Sequence, residues 1–119
     1  MSFRPVLNDL MQKVPGAQGV ILADWEGEAV DQAARIDDYQ LQVFGAHKGI
    51  VLTNLREVVQ RDGEDHLREI VITTEKNKFL VLPITKDYFL LMLLERGSVL
   101  SRALFAARTC VQRLYPEIA

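Results

Sequence analysis

The stretch VPGAQGVILADWEGEAV, residues 14–30, decides the fold. Pro15-Gly16 stops a helix. Residues 18–24 read as a strand: GVILA is β-branched and apolar on both faces, the pattern of a central position in a sheet. Asp24-Trp25-Glu26-Gly27 is turn chemistry, with Gly27 able to take the positive φ of a tight hairpin. Residues 28–34 return as a second strand, more exposed because Asp31 and Gln32 interrupt it. A helix stop followed by a β-hairpin is a framework, and no nucleophile, metal ligand or phosphate binder stands out in it.

Working outward, Phe3, Val6, Leu7, Leu10 and Val14 recur at helical spacing and predict a short amphipathic helix. Ser2 is placed to cap it, and Pro5 sits in its first turn, where a missing N–H costs little. Beyond the hairpin, Asp37 or Asp38 is the N-cap of a long helix running to about residue 60. Leu41, Phe44, Val51, Leu55, Val58 and Val59 share one face of it, with Val43, Ile50 and Leu52 to either side. At 100° per residue they cover roughly 200°, wider than one sheet contact requires. Gly45 and Gly49 lie four apart at one margin. Glycine disfavours a helix interior, so the pair suggests close backbone approach to another element or relief of crowding against the sheet.

The second half alternates turns and strands. After the polar loop around Asp62-Gly63-Glu64-Asp65, strands are predicted at 67–74, 78–84 and 88–94, joined by turns at 75–77 and 85–87. Ser98 is placed to cap a final helix whose inward face is Leu100, Ala103, Leu104, Ala107, Val111 and Leu114, with Pro116 ending it. The order is helix, two strands, helix, three strands, helix. Short turns within each group of strands predict antiparallel pairing. The fold class is α+β: one domain over residues 1–119, with helices packed on an antiparallel sheet.

Composition narrows the function. A net charge of −2 gives none of the basic surplus typical of nucleic-acid binders. The N-terminus lacks a signal-peptide pattern, and Pro83 and Lys86-Asp87 break the most apolar stretch before it reaches the length of a membrane span. The single cysteine, Cys110, rules out an internal disulfide and fits a reducing, cytoplasmic setting. The expectation is a cytoplasmic protein without membrane insertion.

Candidate chemistry is sparse. The glycines form neither a P-loop nor G-x-G-x-x-G. His47 and His66 are far apart in sequence and have no cysteine partner, so no zinc site is expected. His47 reads as a half-buried helix residue or a polar contact at a partner surface, and His66 sits at a strand entrance. The acidic loop lacks the ligand pattern of a calcium site. Cys110 is expected to pack, and Ser98 and Ser101 read as cap residues. Lys48, among apolar neighbours, either snorkels to the surface or faces a partner's carboxylate. Two readings stand for Trp25: an aromatic anchor on a binding surface, or a ring folded back over a sheet edge. No catalytic constellation emerges, and neither cofactor nor metal is expected. The surplus apolar surface on one helix points to a protein–protein interface.

Together, VPGAQGVILADWEGEAV, the long helix, ITTEKNKFLVLPITKDYFLLML and GSVLSRALFAA resemble the roadblock family of dynein light chains, scaffold subunits and bacterial partners of small Ras-like GTPases. The resemblance rests on element order, the Pro-Gly before the first strand, and the Asp-x-x-Gly hairpin at Asp24 and Gly27. Trp25 is unusual for that hairpin. The resemblance implies a roadblock/profilin-like α-β-β-α-β-β-β-α fold. Its five-stranded antiparallel sheet lies between the long helix and the two terminal helices. It implies dimers joined third strand to third strand, with the second helices side by side. Phe44, His47, Lys48, Val51, Asn54, Leu55, Val58, Ile70 and Ile72 would then form the dimer interface, burying an otherwise sticky strand edge. It further implies a homodimeric adaptor that binds and regulates a small Ras-like GTPase. Gliding-motility relatives accelerate GTP hydrolysis by reshaping the GTPase's own site. The alternatives are a structural scaffold without effect on hydrolysis and a small-ligand sensor. Few polar residues converge on a pocket in the way a sensor needs.

Overall fold

The computed structural model describes residues 3–118 apart from Gly27 and Asp62; the side chains at 38, 42 and 44–52 also lie outside the described part. Helix α1 (Arg4–Lys13) is followed by strands β1 (Ala17–Asp24) and β2 (Ala29–Ala34). Then come helix α2 (Asp38–Gln60), strands β3 (Ile70–Thr73), β4 (Asn77–Pro83) and β5 (Tyr88–Glu95), and helix α3 (Leu100–Ile118). The strands form one five-stranded sheet in the order β2-β1-β5-β4-β3. Every neighbouring pair is antiparallel. The α+β reading and its element order therefore hold.

Alternation along the central strands sorts side chains to two faces. Val20, Leu22, Leu80, Leu82, Leu90, Met92 and Leu94 pack against α1 and α3 through Leu7, Leu10, Ala103, Ala107, Cys110 and Leu114. Ile21, Ala23, Phe79, Val81, Phe89, Leu91 and Leu93 face the other way, beneath Leu41 of α2. A Cβ at Gly19 would lie 3.0 Å from both Leu41 methyl carbons, so the missing side chain lets α2 settle onto β1. Gly16, at φ +87°, makes the reversal after α1.

Several boundaries differ from expectation, each for a local reason. Phe3 occupies the N-cap of α1, with no side-chain cap bond; Ser2 is outside the described residues. Gly27, assigned the positive φ of the hairpin, is also outside them. The turn is held by Asp24, whose Oδ1 accepts from the N–H groups of Glu26 (3.0 Å) and Glu28 (2.9 Å). Asp37 caps α2, accepting from Gln40 N–H. Ser98 does not cap α3. Its Oγ is buried without a hydrogen-bond partner, pressed against Gly16, where an added Cβ would come within 2.3 Å. Pro116 lies inside α3 instead of ending it, and Ile118 beyond it packs on the core. Gln32 is buried, so β2 is less exposed than its polar residues suggested.

The largest difference is β3, which spans four residues and not 67–74. Thr74 N–H donates to Asn77 C=O, so hydrogen-bonded pairs recur at Ile72–Phe79 and Ile70–Val81. The next such pair would be Arg68 with Pro83, and proline has no N–H to give. The ladder stops there.

Candidate functional site

The same alternation fixes what β3 shows to solvent. Ile70 and Ile72 direct their backbone groups toward β4. Val71 and Thr73 must direct theirs outward, along the open edge of the sheet. Among the described residues no side chain or loop bonds to them there. Val71 is also an exposed apolar side chain, while Ile70 and Ile72 are half-buried on the α2 face of the core. The strand IVIT contains no charge, proline or bulge, the devices that usually keep an edge from pairing.

Helix α2 supplies a second apolar feature. It packs principally on β1 and β2, at the far side of the sheet from β3. Positions 44, 47, 51, 54, 55 and 58 fall within an arc of about 100° on the helix, with 48 at its margin. Thr53 and Arg56, which touch the rest of the molecule, lie on the other side, and the buried Leu41 lies just beyond the margin at 48. The described members of that arc, Asn54, Leu55 and Val58, are all exposed, Leu55 by 42% and Val58 by 58%. The side chains of Phe44, His47, Lys48 and Val51, and the surroundings of Gly45 and Gly49, lie outside the described part.

Trp25 lies against the α2 face of the core. Its ring meets Phe89 with centroids 5.2 Å apart. The Arg56 guanidinium sits 4.4 Å above the same ring, a cation–π contact, and its Nη1 donates to Lys86 C=O at 2.9 Å. Thr53 Oγ1 approaches Trp25 C=O at 3.5 Å. The two hairpin turns and α2 are thus tied at one point.

The remaining candidates do not converge on chemistry. His66 is exposed in the segment before β3. Cys110 is buried, and that burial pushes its thiol up to about 11, so it stays protonated and unreactive at neutral pH. Among the described residues no three His, Cys, Asp or Glu side chains group to hold a metal ion. No helix there is long and apolar enough to cross a membrane. Sequence reasoning missed the outward groups of Val71 and Thr73, because their direction depends on the β3–β4 register. Pro83 was the one available signal.

The molecule is a five-stranded antiparallel sheet between helices, with one edge strand that carries no protecting device among the described residues. Residues 6–94 match the Roadblock/LC7 domain family, and the chain belongs to that family. Among solved structures, it is similar to a Roadblock/LC7 domain from Streptomyces avermitilis, with a TM-score of 0.89 at 18% identity over 99% of this chain and 98% of that one. It is also similar to MglC from Myxococcus xanthus, with a TM-score of 0.73 at 23% identity over 99% of this chain and all of that one. For MglB of Myxococcus xanthus the TM-score is 0.84 at 12% identity, over 98% and 97% of the two chains. At these identities the likeness is one of fold. No curated protein matches the sequence.

Proposed function

We propose that this protein is a cytoplasmic, non-catalytic homodimeric adaptor that binds a small Ras-like GTPase and regulates its turnover. The observation that carries the dimer is the bare β3 edge, and the exposed stripe of α2 is a second apolar feature available to the same contact. Two copies related by a twofold axis would pair β3 with β3, satisfying the outward groups of Val71 and Thr73. The α2 helices would then lie side by side, covering Leu55 and Val58 with Asn54 among them. Phe44, His47, Lys48 and Val51 occupy the same arc of α2 and belong to the proposed seam, as do Ile70 and Ile72. A stable interface of this kind buries about 1,200–2,000 Å² in total. Support for a GTPase partner is the family membership and the fold shared with gliding-motility proteins. Trp25 enters as a partner contact only indirectly, by fixing the part of α2 that carries Thr53 and Arg56.

Two experiments test this reading. Light scattering should give a dimer for the wild type and a monomer for Ile70→Lys; an unchanged dimer in the variant rejects the seam. Affinity capture from the source organism, with a GTP analogue or GDP in the lysate, should recover a small GTPase in the analogue sample. Its hydrolysis rate is then measured with and without this protein. A GTPase that binds but hydrolyses at the same rate makes the protein a scaffold.

A further inference from the structure

The early end of β3 has a second consequence. Because residues 65–69 do not pair with β4, an open cleft of about 1230 Å³ separates them from the end of β4, the β4–β5 turn and the last turns of α3. That exceeds the roughly 300–1,000 Å³ of a small-molecule site and suits a length of polypeptide. The cleft belongs to neither the outward groups of β3 nor the outer arc of α2. Its α3 wall, from Arg108 to Ile118, lies beyond the residues that match the family.

The lining divides by chemistry. Leu67, Pro83, Val111 and the exposed Tyr115 give it apolar surface. Arg56, Arg68, Lys86 and Arg108 give it positive charge, against Glu69 and Asp87. Glu69 is taken up by Arg108, whose Nε donates to Glu69 Oε2 at 2.9 Å and whose Nη2 donates to Oε1. Arg56 donates from its Nη1 to the Lys86 carbonyl. No ion pair among the described residues engages Arg68 or Lys86. In a chain of net charge −2, this wall is a local cationic surplus around an apolar floor.

We propose that the cleft docks an acidic, amphipathic peptide segment of a partner protein. Its apolar side chains would rest on Leu67, Pro83, Val111 and Tyr115, and its carboxylates would face Arg68 and Lys86. Opposite charge across the contact speeds encounter and rejects basic competitors. The site goes beyond the dimer and GTPase reading and does not depend on it.

The test is a selection of random dodecapeptides displayed on phage against the intact protein, followed by fluorescence anisotropy with the enriched peptides. Enriched sequences should combine Asp or Glu with Leu, Phe or Trp, and their binding should weaken with added salt. The R68E/K86E double variant changes only exposed side chains and should lower affinity by at least about tenfold. Its light scattering should match the wild type, and I70K should bind the peptide as well as the wild type does, which separates this site from the dimer seam. The proposal fails if no acidic sequence is enriched or if the double variant binds equally well. It fails too if phosphatidylserine vesicles take up the protein through Arg68 and Lys86 while the peptides do not bind.

Discussion

The two ends of the sheet present opposite solutions to one problem. Both β2 and β3 are edge strands. On β2, pairing with β1 places the N–H of Gln32 outward. The hydrogen bond from Arg35 N–H to Gln18 C=O sets that alternation, and Asp31 Oδ1 accepts the Gln32 N–H at 2.9 Å. The same carboxylate receives Phe3 N–H at 3.0 Å and the Arg4 guanidinium at 3.1 Å, which brings the start of α1 against the strand. A register shift opposite Leu22 and Ala23 leaves Val30 as the extra residue of a bulge. A charge, a bulge and a helix end therefore close β2. On β3 none of these devices is present among the described residues. Edge exposure alone does not make a strand an interface; the lack of protection at one edge of a sheet protected at the other is what singles out β3.

The strongest way to break this contrast is Val71→Pro. The Val71 N–H serves no bond to β4, so proline at an outward position spares the ladder within the chain. It removes one donor from the open edge and sets a ring against an incoming strand. The dissociation constant of the proposed dimer should rise by at least about 100-fold in sedimentation equilibrium, with the circular dichroism spectrum of the monomer unchanged. An undisturbed dimer would mean that β3 is not the joining edge.

The second prediction attacks the closed edge. Asp31→Ala removes the acceptor shared by Gln32, Phe3 and Arg4, and should lower stability by about 1–2 kcal/mol in urea unfolding. It should also let β2 recruit further copies, seen as species larger than those of the wild type in light scattering. A variant as stable and as small as the wild type would show that the bulge and α1 suffice without the carboxylate.

Acid sharpens the same point with a smaller effect. Burial raises the Asp31 carboxyl, but the N–H of Gln32, Arg4 and the N–H of Phe3 outweigh it and hold the group below its usual 3.8. A folded-state value below the unfolded one means that the stabilisation is complete above about pH 4. It is lost as pH falls through the folded value. Between pH 5 and pH 2 the wild type should therefore lose more stability than Asp31→Asn does. Parallel curves for the two proteins would remove Asp31 from the account of the acid limb.

The contrast between the edges also shows what the sequence discloses. Apolar runs separated by turn residues located all five strands, because alternation and turn chemistry are local. The stop after α1 was equally legible in Pro15-Gly16. Register is not local. The end of β3 at Ile70 depends on Pro83 falling opposite Arg68, a coincidence of two segments that neither records alone. Gln32 looked exposed by residue type, yet α1 and Asp31 enclose it. Pro116 looked like a stop, yet α3 continues through it to Ile118, which packs on the core. Gly19 read as one more residue of a strand, and only the position of Leu41 above it gives its role. Of the candidate site, the apolar excess of α2 was visible as an over-wide stripe. The absence of protection on β3 became visible only once β2 could be set beside it.

The smallest effect belongs to the ion pair nearest the open edge. Glu69 and Arg108 are joined in a two-pronged contact just before β3, and the Arg108 hydrogen bond holds the Glu69 carboxyl below its usual range. The geometry suggests importance, but Arg108 remains 54% exposed and Glu69 27%, so water competes with the pair. Exposed pairs typically contribute about 0–1 kcal/mol. Glu69→Gln should therefore cost no more than about 0.5 kcal/mol in urea unfolding at moderate salt. It should leave the proposed dimer intact, because the outward backbone groups of Val71 and Thr73 are untouched. If Glu69→Gln instead dissociated the proposed dimer as Val71→Pro is expected to, the edge would be held by charge as well as by backbone, and the contrast with β2 would have to be redrawn.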